Sequence, residues 1–313
     1  MTLIALFPGQ GSQAVGMLAD FEVEFPVVKD TFTEASDALG YDLWVLAQEG
    51  PADQLSLTEI TQPLILTAGV ALYRAWIQAG GQCPSYMAGH SLGEYTALTA
   101  AGSMRLADAV QLVRARGQFM QDAVPQGTGA MAAVIGLDDD KIEAVCARVA
   151  TDTGCVIEAV NYNAPGQLVI AGNVEAVEAC LPLMKEAGAK RALTLPVSAP
   201  FHCALMEPAA ERLHEKLDMI EVQIPSVPVI QNVSMKPESD VVVIREQLIK
   251  QTFSPVRWTQ TVQNFEMLGI RAATEFGPGA VLSGLAKRIQ TGAQHFPLGT
   301  CELFTRALQE ING

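Results

Sequence analysis

One serine of this chain stands in a pattern that presents nucleophiles in many enzymes. Ser91 is the central residue of G-x-S-x-G in the segment AGHSLGE, a pattern that puts a serine on a sharp turn between a strand and a helix. Residues 85–88 (SYMA) predict the strand, and the stretch from Glu94 to Ala101 predicts the helix. The N-terminus of that helix would offer backbone N–H groups to a developing oxyanion. We therefore expect Ser91 to form an acyl-enzyme. The alternative is a serine in a glycine-rich turn without a catalytic role.

A nucleophilic serine needs a neighbouring base, and the chain has four histidines from which to choose. His90 adjoins the serine, and adjacent residues on a tight turn rarely aim at the same point. His214 lies in a predicted helix away from the centre of its apolar face, and His295 lies near a late strand, so we expect a solvated and a structural side chain. His202 follows a strand end in LPVSAPFH and precedes a helix. We predict that it is the base; its alternative role is to cap the following helix.

Serine hydrolases that share this turn have a different residue order. They place an acid after the serine and the histidine near the C-terminus, whereas more than a hundred residues follow His202 here. The acids between Ser91 and His202 lie mostly on helices and turns of a predicted subdomain. The sequence therefore favours a Ser–His pair oriented by a neutral group, with a serine esterase or thioesterase as the alternative.

An inward-facing arginine is predicted in the segment LADAVQLVRARGQFM. The apolar positions of this segment share one helical face, and they are Leu106, Ala109, Val110, Val113, Gly117 and Met120. Arg114 projects away from that face, whereas Arg116 falls on its edge. A guanidinium that faces the interior must meet an anion. The two interpretations are an ion pair with an internal acid and a bidentate site for a substrate carboxylate.

The loop GQGSQ after the first predicted strand, residues 2–7, also allows two interpretations. Gly9-x-Gly11-x-x-Ala14 fits the dinucleotide-binding pattern, which needs a second strand that ends in an acid about twenty residues later. The segment VVKDTFTEASDAL predicts a helix there instead. The loop is therefore expected to lend a backbone N–H to an oxyanion hole, and a nucleotide-binding or scaffold protein is the alternative.

Composition and charge exclude several classes of protein. The 313 residues are 49% hydrophobic and 17% charged, which is typical of a well-packed globular protein of about two domains. A net charge of −14, from 20 Lys+Arg and 34 Asp+Glu, argues against nucleic-acid binding. The six cysteines are scattered without ligand spacing, which argues against a zinc site or a disulfide framework. No apolar stretch approaches the length of a membrane span. We expect a soluble cytoplasmic protein that binds neither nucleic acid nor membrane.

Residues 128–197 differ in pattern from the rest of the chain. Strand, helix, strand, strand, helix and strand follow one another in GAMAAVIGL, DDDKIEAVCARVATD, CVIEAVNYN, QLVIAGN, VEAVEACLPLMKEAG and AKRALTLPV. This β-α-β-β-α-β order is the ferredoxin-like arrangement. We predict a ferredoxin-like subdomain at 128–197 inserted into a discontinuous α/β domain of residues 1–127 and 198–313. In the first part of that domain, a helix is predicted to begin at Gln62, just after a capping threonine.

Runs of sequence along almost the whole chain resemble one enzyme family. They are FPGQGSQ near the N-terminus, TQPLI at 61–65, GHSLGEY at 89–95, RGQFMQ at 116–121, NYNAPGQ at 161–167, PFH at 200–202, QTFSPVRW at 251–258 and EFGPGAVLSGL at 275–285. In this order and spacing they resemble the malonyl-CoA:acyl-carrier-protein transacylases. The resemblance implies an α/β-hydrolase-like core with an inserted ferredoxin-like subdomain, in agreement with the organisation predicted above.

The resemblance also implies a role for each residue of the site. Ser91 would be the acyl nucleophile, His202 its base, and Arg116 the group that binds the free carboxylate of the malonyl group. The segments of Gln251 and Asn232 would place backbone carbonyls or amides beside the histidine. The other implied assignments are backbone N–H groups of Gln10 and Leu92 as the oxyanion hole, Gln251 as a catalytic residue, and Phe201, Asn163, Asn232 and Gln62 as substrate-binding positions. Phe201 resembles an aromatic residue of malonyl-selective members that crowds a methyl-branched acyl group.

The implied reaction moves a malonyl group from malonyl-CoA to the pantetheine thiol of acyl carrier protein by a ping-pong mechanism and supplies fatty-acid synthesis. Because one thioester becomes another, we expect no metal and no redox cofactor. The implied partners are malonyl-CoA and an acidic carrier protein, and we expect a monomer. The candidates for a local basic docking surface are Lys185, Lys190, Arg191, Lys287 and Arg288. The alternative is a free-standing malonyl transferase that serves a polyketide synthase.

Overall fold

The computed structural model describes residues 2–197, 199–289 and 292–313, and within them the chain forms two β-sheets. The strands, numbered along the chain, are β1 (Leu3–Phe7), β2 (Tyr86–Gly89), β3 (Gly129–Ile135), β4 (Ile157–Ala164), β5 (Gln167–Asn173), β6 (Arg191–Thr194), β7 (Val229–Ile230), β8 (Pro237–Glu238), β9 (Ala272–Glu275) and β10 (Gln294–Pro297). One sheet has the strand order β10-β9-β1-β2-β7-β8, and the other has the order β4-β5-β3-β6. The predicted α/β class is confirmed.

Helices connect and cover these strands. Those formed by the described residues are α1 (Phe21–Glu24), α2 (Pro26–Leu39), α3 (Leu43–Glu49), α4 (Ala52–Leu55), α5 (Thr58–Gln78), α6 (Leu92–Ala100), α7 (Leu106–Asp122), α8 (Asp139–Thr153), α9 (Val174–Glu186), α10 (Glu207–Asp218), α11 (Val241–Gln251), α12 (Trp258–Met267), α13 (Val281–Ile289) and α14 (Cys301–Asn312). The predicted helix α2 occupies the place where a dinucleotide-binding unit would need its second strand. In the part of the chain that the structure describes, no helix is long and apolar enough to cross a membrane.

The six-stranded sheet is parallel except for β8. Its central strand β1 is buried along its whole length, and its alternate side chains enter two different apolar clusters. The continuous apolar sequence LIALF is typical of a strand that is covered on both faces. β1 pairs with β2 on one side and β9 on the other, and its last residue, Phe7, lies opposite Gly89. The loop after β1 therefore begins beside the turn that follows β2.

The four-stranded sheet is antiparallel throughout. With α8 and α9 it has the β-α-β-β-α-β order of a ferredoxin-like unit around an apolar core of its own, which confirms the predicted fold class. β4 also reaches the larger sheet domain, because the N–H of Tyr162 donates to the carbonyl of Val256 over 3.0 Å. The limits 128–197 stay a prediction, and Ser198, where the larger domain is predicted to resume, lies outside the described residues.

The helix predicted to begin at Gln62 begins earlier, at Thr58. The N–H of Thr61, the predicted cap, already bonds to the carbonyl of Leu57. Pro63 therefore lies inside α5 instead of in its first turn, and it has no N–H to donate to the carbonyl four residues earlier. Burial of the continuous stretch from Thr61 to Leu72, with α5 packed against α2, α6 and α7, outweighs that loss.

Candidate active site

Ser91 lies on the turn between β2 and α6, with φ 53° and ψ −110°. This left-handed φ is strained for a residue with a side chain, and close backbone contacts surround it. The N–H of His90 donates to the Phe7 carbonyl over 3.0 Å, and a Cβ added to Gly93 would lie 1.9 Å from the same oxygen. A Cβ added to Gly89 would lie 1.9 Å from the Gly93 carbonyl carbon. Backbone packing therefore requires both glycines of the G-x-S-x-G pattern.

The structure brings Ser91 and His202 into a hydrogen-bonded pair. Ser91 Oγ donates to His202 Nε2 over 2.7 Å, and His202 Nδ1 donates to the backbone carbonyl of Gln251 over 2.8 Å. The second bond selects the tautomer in which Nε2 is free to accept a proton. The group that orients the histidine is a neutral carbonyl, as the sequence led us to expect.

Of the two histidines near Ser91, His202 is buried and His90 is half-buried, and both favour the neutral form. Burial, and after it the charge of Arg116, lowers the pKa of His202 to about 3, while the bond to the Gln251 carbonyl raises it in part. The imidazole of His202 is therefore neutral at pH 7. Burial also lowers the pKa of His90, whose Nε2 donates to Asn163 Oδ1 over 2.8 Å. Asn163 thus holds His90 beside the Ser91–His202 pair.

Arg116 of α7 is 1% exposed and reaches the Ser91 hydroxyl. Its Nη1 donates to Gln62 Oε1 and its Nη2 to Gln251 Oε1, both over 2.9 Å. Nη2 also donates to Ser91 Oγ over 3.3 Å. None of the ion pairs among the described residues involves Arg116, so the internal ion pair that the sequence allowed is not formed there. A buried guanidinium held by two neutral amides keeps its charge available for an anionic ligand.

The loop that follows β1 touches the turn that carries Ser91. A Cβ added to Gly9 would lie 2.8 Å from the His90 carbonyl oxygen, so the two backbones meet at a point where only glycine fits. Gln10 follows in this loop, and Leu92 is the first residue of α6. The contact at Gly9 brings their segments together, and the oxyanion hole formed by their N–H groups stays a prediction.

Two residues predicted to bind substrate lie beside the site in different ways. Asn232 is buried, with Oδ1 accepting from the N–H of Ser91 over 2.8 Å and Nδ2 donating to the Gly89 carbonyl over 2.7 Å. Its amide therefore holds the turn, and the implied position of its segment beside His202 stays a prediction. Phe201 is 9% exposed and packs in an apolar cluster that it shares with residues of α7 and β4. Substrate binding by either residue stays a prediction.

Sequence reasoning missed Glu94, a fully buried acid three residues after Ser91. Its Oε2 accepts from Gln251 Nε2 and from the N–H of Asn232, both over 2.9 Å. Burial raises its pKa to about 7, although these bonds and the charge of Arg116 act to lower it. The available signal was the pattern Ser91-x-x-Glu94, which is typical of a capping box in which the acid bonds back to the serine N–H. Here Asn232 Oδ1 accepts from that N–H, and the acid turns into the site.

The five basic residues predicted to meet a carrier protein are all exposed, but they lie in more than one place. Arg288 Nη1 donates to Gln167 Oε1 over 2.6 Å. Gln167 and Arg191 both pair with Ile135 of β3, so Arg191 and Arg288 lie at one end of the four-stranded sheet. Lys287 instead lines a pocket beside β10.

The arrangement suits acyl transfer through an oxygen nucleophile. A neutral base and a buried cation each lie within hydrogen-bond reach of the Ser91 hydroxyl. Such a set can attack a carbonyl and hold an acyl chain that ends in an anion. Over the described ranges, no three His, Cys, Asp or Glu side chains are grouped so that they could hold a metal ion.

Known proteins resemble this chain along nearly its whole length. Residues 5–305 match the family model described as acyl transferase domain. The malonyl CoA-acyl carrier protein transacylase of Escherichia coli (strain K12) is 57% identical over 284 residues, which cover 91% of either chain. The structure of the malonyl CoA-acyl carrier protein transacylase from Coxiella burnetii has a TM-score of 0.97 at 47% identity and covers 100% of this chain and 98% of that chain.

A further solved structure contains a partner protein. It is a malonyl-transacylase in complex with a type II PKS acyl-carrier protein, and it has a TM-score of 0.97 at 50% identity, covering 99% of this chain and 100% of that chain. These similarities far exceed what a shared fold alone would produce. The chain is therefore an acyltransferase and belongs to the family of malonyl CoA-acyl carrier protein transacylases.

Proposed function

We propose that this chain transfers the malonyl group of malonyl-CoA to the pantetheine thiol of an acyl carrier protein through an ester on Ser91. The observation that carries the proposal is the position of Arg116, a buried cation whose Nη2 lies 3.3 Å from the nucleophilic oxygen. A malonyl carboxylate would satisfy that cation while the thioester carbonyl lies at Ser91. The names of the relatives support this pair of substrates.

The first half-reaction forms the acyl-enzyme. His202 Nε2 takes the proton of Ser91 as the serine oxygen attacks the thioester carbonyl, and the N–H groups of Gln10 and Leu92 donate to the oxyanion. The intermediate collapses with cleavage of the carbon–sulfur bond. The departing CoA sulfur receives the proton from His202 and leaves as a thiol. Malonate then remains bound to Ser91 as an ester.

The Arg116 guanidinium, the proposed clamp for the acyl carboxylate, is held in place before the substrate binds. Gln62 and Gln251 each accept one N–H of the Arg116 guanidinium and so restrict its plane. Two further N–H groups would bind the malonyl carboxylate and hold the acyl group in attack geometry. Phe201 would crowd a branching methyl group on the same chain, and Asn163 would line the cleft.

The second half-reaction restores the enzyme. The pantetheine thiol gives its proton to His202 Nε2 and attacks the serine ester, and the Ser91 oxygen regains that proton as it leaves. One thioester has replaced another, so the proposed reaction needs no metal and no redox cofactor. We propose that the acidic carrier docks on Arg191 and Arg288, because none of the ion pairs among the described residues neutralises their charges.

A direct test is to incubate the protein with malonyl-CoA, with and without holo carrier protein, and to measure the mass of the carrier. We expect the carrier to gain one malonyl group and free malonate to appear only slowly when the carrier is left out. Ser91→Ala should lose both the acyl-enzyme and the transfer. Rapid release of malonate beside an unmodified carrier would instead identify a thioesterase.

A second candidate is a malonyl transferase that serves a polyketide synthase. The relative solved in complex with a type II PKS acyl-carrier protein favours it. The same assay, run with a fatty-acid carrier and a polyketide carrier in parallel, distinguishes the two by their kcat/KM values. Cytoplasmic location and a monomeric state remain predictions, and light scattering on the purified protein tests the latter.

A further inference from the structure

A buried acid outside the nucleophile–base pair is bonded to two residues of the site. Glu94 is the third residue of α6, and its side chain is fully buried. The reaction proposed above uses it neither as a base nor as a substrate ligand. Its Oε2 accepts from the side chain of Gln251 and from the backbone of Asn232, both over 2.9 Å. Because burying a carboxylate is unfavourable unless its bonds compensate, these two bonds indicate its role.

Gln251 uses every polar atom of its side chain within the site. Its Nε2 donates to Glu94 Oε2 and to the Ser91 carbonyl, each over 2.9 Å. Its Oε1 accepts from Arg116 Nη2 over 2.9 Å, and its backbone carbonyl accepts from His202 Nδ1 over 2.8 Å. This one residue therefore connects the acid to the cation, the base and the backbone of the nucleophile.

Together with the Ser91 carbonyl, the acid determines which way the Gln251 amide faces. Glu94 Oε2 is the acceptor of both of its hydrogen bonds, and a guanidinium only donates them. An amide between Glu94 and Arg116 therefore has one satisfied orientation, with Nε2 toward the acid and Oε1 toward the cation. In the reverse orientation the Gln251 Nε2 donor would face the Arg116 donor, and the Gln251 Oε1 acceptor would face the Glu94 acceptor. Both contacts are unfavourable in a buried site.

The acid also supports the strained turn. Its bond to the N–H of Asn232 holds the residue whose Oδ1 accepts from the N–H of Ser91 and whose Nδ2 donates to the Gly89 carbonyl. Ser91 has φ 53°, a conformation that persists only where surrounding contacts hold it. Among the described residues, Glu94 Oε1 has no hydrogen-bond partner. All hydrogen bonds of this carboxylate there therefore go to Gln251 and Asn232.

We propose that Glu94 is a positioning residue that fixes Gln251 and Asn232. It thereby does indirectly what the acid of a catalytic triad does by bonding the histidine itself. This inference rests on the proposed malonyl transfer. Loss of the acceptor at Glu94 frees the Gln251 amide to rotate and withdraws Oε1 from Arg116. Binding of the malonyl carboxylate is then impaired more than attack on an uncharged acetyl group. A side chain that offers an oxygen to the same two donors preserves the site.

Three variants of the full chain separate positioning from stability. Glu94→Leu removes the acceptor, and Glu94→Gln keeps an acceptor oxygen without the charge. Glu275→Leu is the matched control, because Glu275 is a second fully buried acid, on the far side of β1, whose oxygens accept the N–H groups of Leu282 and Ser283 over 2.9 and 2.7 Å. The readouts are the melting temperature and the ratio of kcat/KM for malonyl-CoA to that for acetyl-CoA.

We expect Glu94→Leu to lower the malonyl-to-acetyl ratio on the order of 10²-fold, as a misplaced substrate clamp would. Glu94→Gln should keep most of the wild-type ratio, and Glu275→Leu should lose melting temperature without changing the ratio. A wild-type ratio in Glu94→Leu together with a lowered melting temperature would show that the acid is only structural. Equal loss in Glu94→Gln and Glu94→Leu would also overturn the inference, because orientation would then not be the cause.

A further variant keeps the inference testable if Glu94→Leu does not fold. Glu94→Asp retains the charge but is one methylene too short to reach both donors, so the malonyl-to-acetyl ratio should fall as well. An unchanged ratio in this variant would contradict the role of Glu94. The wild-type protein is assayed with malonyl-CoA and carrier in parallel. Absence of transfer there would overturn the proposed function itself, whereas transfer with unaffected variants would overturn only the inference.

Discussion

The buried guanidinium of Arg116 and the imidazole of His202 influence each other across the nucleophile. After burial, the charge of Arg116 is the second cause that lowers the pKa of His202 to about 3. A carboxylate bound to Arg116 would neutralise that charge and so make the imidazole a stronger base. The base is therefore expected to gain strength when a malonyl group is in the site and to gain none from an acetyl group.

Replacing Arg116 by alanine should reverse the preference for malonyl groups. We expect kcat/KM with malonyl-CoA to fall on the order of 10²-fold, because the acyl chain is no longer held in attack geometry, while activity with acetyl-CoA is retained. The measurement is labelling of the enzyme by each radioactive acyl-CoA. Arg114→Ala is the control, since Arg114 lies on the same helix and donates instead to the Leu39 carbonyl over 3.3 Å. An unchanged malonyl-to-acetyl ratio in Arg116→Ala would contradict the clamp.

The same pair of residues predicts the pH dependence of acyl-enzyme formation. The lowered pKa keeps His202 neutral well below pH 6.5, its ordinary value, so the acid limb of kcat/KM with acetyl-CoA should lie far below that pH. In Arg116→Ala the limb should move to higher pH, because one of the two lowering causes is gone, and should stay below 6.5 because burial remains. Identical limbs in the two proteins would contradict this coupling.

Glu94 predicts a pH dependence of stability with the opposite sign to that of His202. Burial raises the pKa of Glu94 from 4.5 to about 7, so in that window the folded protein binds a proton that the unfolded chain has released, and rising pH lowers stability. His202, whose pKa is lowered, adds stability as pH rises through its own window. In thermal unfolding, Glu94→Gln should therefore gain stability relative to wild type as pH rises from 4.5 to 7. A difference that does not change with pH would contradict the raised pKa.

Among the elements, the turn between β2 and α6 depends on atoms of β1. The Phe7 carbonyl accepts from the N–H of His90 over 3.0 Å, and the same oxygen leaves no room for a side chain at Gly93. The turn therefore packs against the end of β1 as well as against α6, the helix that follows it. Substitutions in β1 that shift its last residue would move the nucleophile.

Gly93→Ala should damage both the fold and the site. The added methyl group would lie 1.9 Å from the Phe7 carbonyl oxygen, so the turn must separate from β1, and we expect a lower melting temperature and loss of labelling by malonyl-CoA. Gly284→Ala is the control within α13, because a Cβ there meets nothing within 4 Å. That change should stabilise the protein by about 0.5–1 kcal/mol through helix propensity. Wild-type labelling in Gly93→Ala would contradict the close fit.

Local patterns predicted the elements, and long-range contacts explain what they missed. The glycines around Ser91 and the strands and helices of the ferredoxin-like unit can each be recognised from a short segment of sequence, and both were predicted. The partners of Glu94 lie elsewhere in the chain, since Gln251 is 157 residues away. No local pattern records such a pairing, and the nearby serine made the acid resemble part of a helix cap. The early start of α5 at Thr58 was missed because burial overrode the expected effect of its proline.

Across the whole molecule, a net charge of −14 opposes the approach of an acidic partner. A docking surface must therefore hold basic residues that are not already neutralised. Among the ion pairs of the described residues, Arg212 and Arg306 have acidic partners, whereas Arg191 and Arg288 have none. These two exposed residues at one end of the four-stranded sheet are the basis of the proposed docking surface.

Reversing one charge on that surface should weaken binding of the carrier without altering the rate of acyl transfer. We expect Arg191→Glu or Arg288→Glu to raise the KM for the carrier on the order of tenfold at saturating malonyl-CoA, with kcat preserved. Arg105→Glu makes the same charge change in a residue paired with Asp108 at the start of α7, the end opposite to Arg116. If this control raised the KM equally, net charge and not docking would be responsible. An unaltered KM for the carrier in both Arg191→Glu and Arg288→Glu would exclude these two residues as the docking surface.

The position of β1 between β2 and β9 has a consequence for how the protein is made. On the ribosome, Ser91 and every other residue of the proposed site emerge before β9, residues 272–275. Until then one edge of the central strand is unpaired, and the loop that carries Gln10 lacks a fixed support against the turn. A nascent chain of that length is therefore expected to have an unfinished site. We therefore expect acylation of Ser91 to begin only after β9 has paired with β1.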